Sequence, residues 1–331
     1  MGAPDPLVPL ADDNCDEGDA NAIPVHTQIC IATANVLTMR PRDEAYMGVS
    51  ARRLEIAVQA DRAGIQILGI QESRLRGQRV MTCHHYTMVM AGADPEGCAA
   101  GGVELWVHDS LGVTKDEIFL ISFTPRYLVA RITLGNKTFL VGVGHALDSS
   151  YPEVQVHTWW DTFGDALKAA EKPSVDCILL VDANGTLGSN QSPAVGGHHP
   201  DVEDISGARL HQLACELCLV IPQTFTECSV DGPSGTWSAS NGRLRRIDYV
   251  LVPESWLHGI TKAGPSLELD LALEDHLDHK AVVVSVCLVL TKPVKKTAIV
   301  GNREALTPPF GSGGARPGLV AGPGPSCALG P

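Results

Sequence analysis

The sequence has no apolar run approaching the roughly 20 residues that a bilayer-spanning helix needs. Its first 27 residues hold neither a basic n-region nor an apolar h-region, so no secretory signal is read there. Pro6 stands where a myristoylation signal has Ser or Thr. These absences lead to the expectation of a soluble, intracellular chain with no membrane partner and no obligate protein partner. Positive charge is also short: 25 Lys and Arg against 38 Asp and Glu leave a formal net charge of −13. A protein that grips long nucleic acid by its phosphates usually shows a basic face. The acidic balance therefore argues against tight, sequence-indifferent duplex binding, unless a local basic cluster or metal ions offset it. Among the ten cysteines, Cys215 and Cys218 form a CxxC pair with no second pair at zinc-site spacing. Without a secretion signal, reduced thiols are expected, and these two are read as buried small hydrophobes in an apolar helix. Serine and cysteine nucleophile signatures and internal repeats are missing as well.

What is present is a chain able to build a core: 331 residues, 44% hydrophobic and 19% charged. Residues 1–27 carry Asp5, Asp12, Asp13, Asp16, Glu17 and Asp19 with little periodicity, and are expected to form a disordered acidic leader. Residues 291–331 turn basic and then Pro/Gly-rich, and are expected to be a disordered tail. The folded part is placed at 28–290. Within it, apolar runs at 28–34, 65–70, 102–107, 127–134, 137–143, 177–181, 247–252 and 281–288 read as strands. Helical spacing joins Met47, Ala51, Leu54 and Val58 up to Gly64. It also joins Val156, Trp159, Trp160, Phe163 and Leu167, and Leu210, Leu213, Ala214 and Leu217. Strand–helix alternation followed by strand-rich stretches suggests a sheet-based sandwich with outer helices.

Polar residues interrupt this pattern at telling places. Apolar strands end at Asn35, at Glu72, and at Asp182 with Asn184 close behind, and Asp248 stands inside the strand RIDYVLV. The cluster EDHLDH precedes the last strand. Each has an ordinary reading: Asn35 as a turn cap, Glu72 as a solvated strand end, Asp182 to Gly185 as an Asx turn. Asp248 is harder to dismiss, because a carboxylate among Ile247, Tyr249 and Val250 needs a partner. Strand ends that converge at one edge of a sandwich would gather these groups in one pocket. Their oxygens suit a hard cation such as Mg²⁺, and an Asp–His pair adds a base and a donor for phosphate-ester cleavage.

Taken in order, the motifs ATAN (Asn35), GIQES (Glu72), GGVELWV, VGVGHA (His145), VDANG (Asp182, Asn184), GTW (Trp237), RRIDYVLV (Asp248) and DHKAVVV (Asp278, His279) resemble the endonuclease/exonuclease/phosphatase superfamily. The wording is most similar to endonuclease domains of non-LTR retrotransposons and to apurinic-type enzymes. The resemblance implies an α/β four-layer sandwich, two packed mixed β-sheets flanked by helices. It implies Mg²⁺, or Mn²⁺ in its place, held by Asn35 and Glu72 with Asp278 nearby. By the same resemblance Asp182 positions or deprotonates the attacking water and Asn184 touches the scissile phosphate. His279, oriented by Asp248, stabilises developing charge, and His145 stands where relatives contact phosphate. Ala34, Val181, Leu147 and Ala281 depart from residues usual in the family, and none is a catalytic group. The doubled last motif leaves Asp275-His276 as an alternative to Asp278-His279.

Arg243, Arg245 and Arg246 could meet substrate phosphates or form a solvated hairpin tip, and Trp237 could stack on a base or belong to the core. The leading expectation is a metal-dependent DNA endonuclease. The alternatives are a phosphatase or phosphodiesterase on small, lipid or RNA-tail substrates, and an inactive transposon-derived relic. Against the last, every expected catalytic position is filled.

Overall fold

In chain order the elements are β1 (Ile23–Asn35), α1 (Ala51–Arg62), β2 (Ile67–Gln71), β3 (Arg79–Cys83), β4 (Tyr86–Ala91), β5 (Val103–His108), β6 (Ile118–Thr124), β7 (Tyr127–Leu134), β8 (Lys137–His145), α2 (Glu153–Ala170), β9 (Asp176–Asp182), α3 (Ile205–Glu216), β10 (Leu219–Val220), β11 (Trp237–Ser238), β12 (Leu244–Arg245), β13 (Asp248–Pro253), β14 (Ile260–Ser266) and β15 (Ala281–Lys292). The computed structural model describes residues 23–39, 51–93, 101–135, 137–172, 175–239, 242–271 and 278–292. Most of the expected leader, the tail beyond residue 292 and the pair Asp275-His276 lie outside the described residues. No helix among those described is long and apolar enough to cross a membrane.

Two mixed sheets form the body. One runs β14-β15-β1-β2-β5-β4-β3 and the other β10-β13-β9-β8-β7-β6. β1 and β2 are parallel, as are β8 and β9, while β15 and β13 run antiparallel to β1 and β9. The central strands read as unbroken apolar runs because both of their faces are buried. Ile29 and Ile31 enter the layer between the sheets, while Ala32 and Ala34 face α1. Leu180 and Val250 enter the same central layer, whereas Leu179, Val181, Tyr249 and Leu251 meet Trp160, Phe163 and Leu210 of α2 and α3. This period-2 division makes the expected four layers, helix, sheet, sheet, helix. The sheets approach closely at Gly69, where an added Cβ would lie 2.6 Å from Leu180 Cβ.

The structure differs from the sequence reading in one boundary and in the burial of two thiols. β1 begins at Ile23, inside the stretch assigned to the leader, because residues 23–27 pair with 288–292 in the antiparallel β1–β15 ladder. Local composition carries no trace of that distant partner. Cys215 and Cys218 are exposed free thiols rather than buried ones. The buried face of α3 is set by Leu210, Leu213 and Ala214, and Cys218 follows the helix in a left-handed conformation with φ 51°.

Candidate active site

The strand directions place the polar interruptions together. Asn35 ends β1, Glu72 follows β2, His145 ends β8 and Asp182 ends β9, so all four stand at the carboxyl ends of parallel strands. β13 and β15 run the other way, so the residues at their amino ends, Asp248 and His279, arrive at the same edge. In the ladders Asp182 is the direct partner of both His145 and Asp248.

Asn35 is the hub. Its Nδ2 donates to Asp182 Oδ2 at 2.8 Å and to Glu72 Oε1 at 3.1 Å, while its Oδ1 accepts from Leu37 N at 2.9 Å. The turn-capping reading of Asn35 therefore holds together with the site reading. It also qualifies the ligand reading: Asn35 presents its amino group, not its carbonyl, to the carboxylates, because the carbonyl closes the turn. The Asx turn after β9 is real too, with Asn184 N donating to Asp182 Oδ1 at 3.0 Å and Asn184 Nδ2 to Ala146 O at 2.9 Å. Leu37, Glu72 and Asn184 all take positive φ, at 58°, 54° and 46°. That conformation is costly for residues with a side chain and tends to gather at functional sites.

His279 Nδ1 lies 3.1 Å from Asp248 Oδ2, both residues being buried. Burial pulls the imidazole down, but the neighbouring Asp248 carboxylate outweighs it, with Asp182 and Asp278 adding to the pull, and its pKa rises to about 9. His145 behaves oppositely. Burial lowers it to about 4, with Arg126 helping and Glu72 opposing. Its Nδ1 lies 3.4 Å from Arg126, and its Nε2 is 3.5 Å from Glu72 Oε1 and 4.0 Å from Asp182 Oδ2. A neutral ring with Nε2–H turned to the carboxylates fits those neighbours. Burial, then the charge of Asp248, push Asp182 well above the usual carboxylate range. Glu72 is raised by burial, yet His145, Arg74 and Asn35 together bring it below its ordinary value.

The donor set, buried carboxylates with a histidine beside them, suits a divalent cation. Two carboxylate oxygens share one amide donor at Asn35, and Asp248 Oδ1 is buried without a hydrogen-bond partner among the described residues. Asp182, Asp248 and His279 each offer one ligand atom, all within 4.8 Å of one another. Glu72 is the carboxylate here that keeps some exposure, and its Oε2 is held by Arg74 at 2.6 Å. Asp278 is not part of that group. Its backbone carbonyl accepts from Ser238 N, and its charge acts on His279.

The arginine cluster separates. Arg246 is buried and donates to the backbone carbonyls of Gln223, His198 and His199. It clamps loops together, with most of its guanidinium spent on backbone carbonyls, unlike the solvated hairpin tip that the arginine cluster suggested. Arg243 and Arg245 reach solvent but engage Asp201 and Asp204. Trp237 is half-buried and forms a backbone bridge with His279. Sequence reasoning assigned no role to three supporting residues. Gln71 Nε2 ties Thr33 Oγ1 to Leu180 O across the two sheets. Thr236 Oγ1 accepts from Ile247 N and Asp248 N. Arg126 spans His145 and Tyr151. For Gln71 the signal was present, a polar residue inside the buried run ILGIQ; the other two look like ordinary surface polar residues.

The architecture matches known structures. The AP endonuclease LMAP from Leishmania major aligns at 12% identity over 85% of this chain and 93% of that chain, with a TM-score of 0.56. An AP endonuclease from Archaeoglobus fulgidus aligns at 17% identity over 77% and 98%, with a TM-score of 0.52. The 3′-5′ exonuclease NExo from Neisseria meningitidis aligns at 15% identity over 77% and 98%, with a TM-score of 0.51. The chain thus shares the α/β sandwich fold of these nucleases, the fold its ordered motifs led us to expect. No protein-family model matches the sequence, and no curated protein matches it. At such identities the likeness establishes architecture, and the activity must be argued from the site.

Proposed function

We propose that this chain is a phosphodiesterase that hydrolyses the DNA backbone by direct attack of water, with Mg²⁺, or Mn²⁺ in its place, as cofactor. The observation that carries the reading is the convergence at one sheet edge of Asn35, Glu72, His145, Asp182, Asp248 and His279, linked by contacts of 2.8 to 4.0 Å.

When bound, the cation would offset phosphate charge and make coordinated water more acidic. Glu72 is the residue to hold it, with Asn35 alongside if its amide turns its oxygen inward, and with Asp278 further out. Asp182 is the group to orient and deprotonate the attacking water. Its raised pKa makes it a stronger base than an ordinary carboxylate. Asn184, fixed through Ala146 and Asp182, is the group to touch the scissile phosphate. Asp248 holds His279 as a cation with Nε2–H directed away from the pair. That donor stabilises charge as it builds on the phosphoryl oxygens. His145, neutral at pH 7, adds a second N–H. Trp237, beside His279, offers an aromatic face for a base or sugar, and Arg245 is the remaining candidate of the arginine run for phosphate contact.

The test is nicking of supercoiled plasmid and cleavage of an abasic-site oligonucleotide, with Mg²⁺ and with EDTA, for wild type and His279→Ala. Metal-dependent cleavage that the variant loses is the expected result. A folded protein that cleaves neither substrate would overturn the DNA reading. The net charge of −13 then favours small, lipid or RNA-tail phosphoesters with the same chemistry, and failure on those as well would leave an inactive relic.

A further inference from the structure

A second concentration of imidazoles and carboxylates lies away from this pocket. β4 and β5 pair Tyr86 with His108, which brings the β3–β4 turn, His84-His85, beside the end of β5. Asp61 of the last turn of α1 comes down onto the same place. Its Oδ2 is 2.8 Å from His84 Nε2 and its Oδ1 is 3.0 Å from His108 Nε2. Asp109 Oδ2 lies 3.0 Å from His85 Nδ1. The cluster adjoins the start of β2, since His108 N donates to Gln66 O. Glu72 lies past the other end of that strand, about 20 Å away at roughly 3.3 Å per residue.

We infer that Asp61, His84 and His85 form a second metal site, independent of the catalytic pocket, that takes a borderline transition cation, Zn²⁺ foremost. One ligand atom from each of the three lies within 4.8 Å of the others. Zinc bonds near 2.0–2.1 Å require tetrahedral ligands about 3.3 Å apart, which small rotations of partly exposed side chains supply. Water fills the fourth position. Imidazole with carboxylate selects Zn²⁺ over Mg²⁺, which prefers oxygen alone.

The surroundings orient these ligands. Ser110 N donates to His108 Nδ1 at 3.1 Å, which leaves the proton on Nε2. That N–H donates to Asp61 Oδ1 and leaves Oδ2 for the metal. Asp109 holds His85 in the carboxylate–imidazole manner common around ligating histidines. His84 also sits at φ 53° in a two-residue hairpin turn, where glycine is ordinarily favoured. A bound cation would clip the end of α1 to the β3–β4 hairpin, a structural rather than a catalytic role.

The test is Zn²⁺ titration of tag-free, chelator-stripped full chain against a chromophoric competitor. Wild type is compared with His84→Ala/His85→Ala, His108→Ala and the catalytic-pocket variant Asp182→Asn. One zinc equivalent should be retained in Asp182→Asn, weakened about 10-fold or more in His108→Ala, and lost in the double variant. Co²⁺ should give tetrahedral absorption in wild type and Asp182→Asn and none in the double variant. Circular dichroism confirms folding, and His85→Gln serves if the double variant misfolds. Identical titrations of wild type and a folded His84/His85 variant, or loss of the equivalent in Asp182→Asn instead, would overturn the assignment.

Discussion

Past the two ends of β2 lie two clusters with the same chemistry in different surroundings. At the carboxyl end the Asp248 and His279 side chains are 0% and 6% exposed. At the other end those of Asp61 and His84 are 32% and 26% exposed, at a comparable separation. Where water is excluded, a nearby charge acts through a low effective dielectric and can move a proton equilibrium by several units. Where water reaches the pair, the same contact is screened and contributes little. An Asp–His contact therefore has no fixed meaning. Burial makes one an ion pair whose imidazole stays cationic to about pH 9 and leaves the other within reach of water.

The largest effect that would break this contrast belongs to Glu72. Glu72→Ala should lower metal-dependent turnover about 10³-fold while leaving the urea midpoint near that of wild type. The side chain sits at the rim, and its loss relieves crowding of carboxylates around Asn35. Turnover unchanged in the folded variant would remove Glu72 from the metal site. Next comes Asp248→Asn, with a loss of about 10²-fold in kcat and a change in the pH profile. His279 is cationic below about 9, so the wild-type rate should fall as pH rises through that value. The linkage has the same sign. The folded pKa stands above the ordinary value of about 6.5, so the pair's stabilisation is complete below 6.5 and is lost as pH climbs through about 9. Without the carboxylate, the alkaline limb should move to lower pH. A limb that stays in place would mean His279 is not the group it reports.

The convergence at the carboxyl end was legible in the sequence for a reason the other end lacks. Asn35, Glu72, Asp182 and Asp248 interrupt or end strands that are apolar on both faces, so each polar residue stands out as one needing a partner. His84, His85 and His108 stand in a turn and at a strand end, where polar residues are ordinary, and only the β4–β5 register joins them. The same logic explains the strands. β2, β9 and β13 announce themselves as apolar runs; the interior strand β4, buried though it is, went unread, and so did β3, β6 and β14. The last three are edge strands of mixed exposure, and β14 contains Gly264-Pro265. Arg246 shows the opposite failure: a buried guanidinium looks like a surface one when only its neighbours Arg243 and Arg245 are in view.

A buried charge pair with no catalytic task sharpens the comparison. Arg53 Nη2 meets Glu104 Oε1 at 2.7 Å beneath α1, and Trp106 Nε1 donates to the other Glu104 oxygen at 2.8 Å. Arg53→Ala would leave the Glu104 charge without its cation in a dry layer. A stability loss of about 3–5 kcal/mol is expected by urea denaturation, with turnover per folded molecule unchanged. A loss below 1 kcal/mol would show that burial alone does not set the strength of such pairs.

The smallest effect is the most diagnostic for the exposed end. In chelator, His84→Ala removes one partly exposed contact to Asp61 and should cost only about 0.2–1 kcal/mol. The turn itself is indifferent or slightly worse, since alanine tolerates φ 53° no better than histidine. Added Zn²⁺ should raise the thermal midpoint of wild type and not that of the variant, because a ligand stabilises only the form that binds it. The gap between the two proteins should therefore open with metal. A gap that is already large in chelator would mean that the imidazole contributes through direct contacts, and that this cluster resembles the buried end more closely than its exposure suggests.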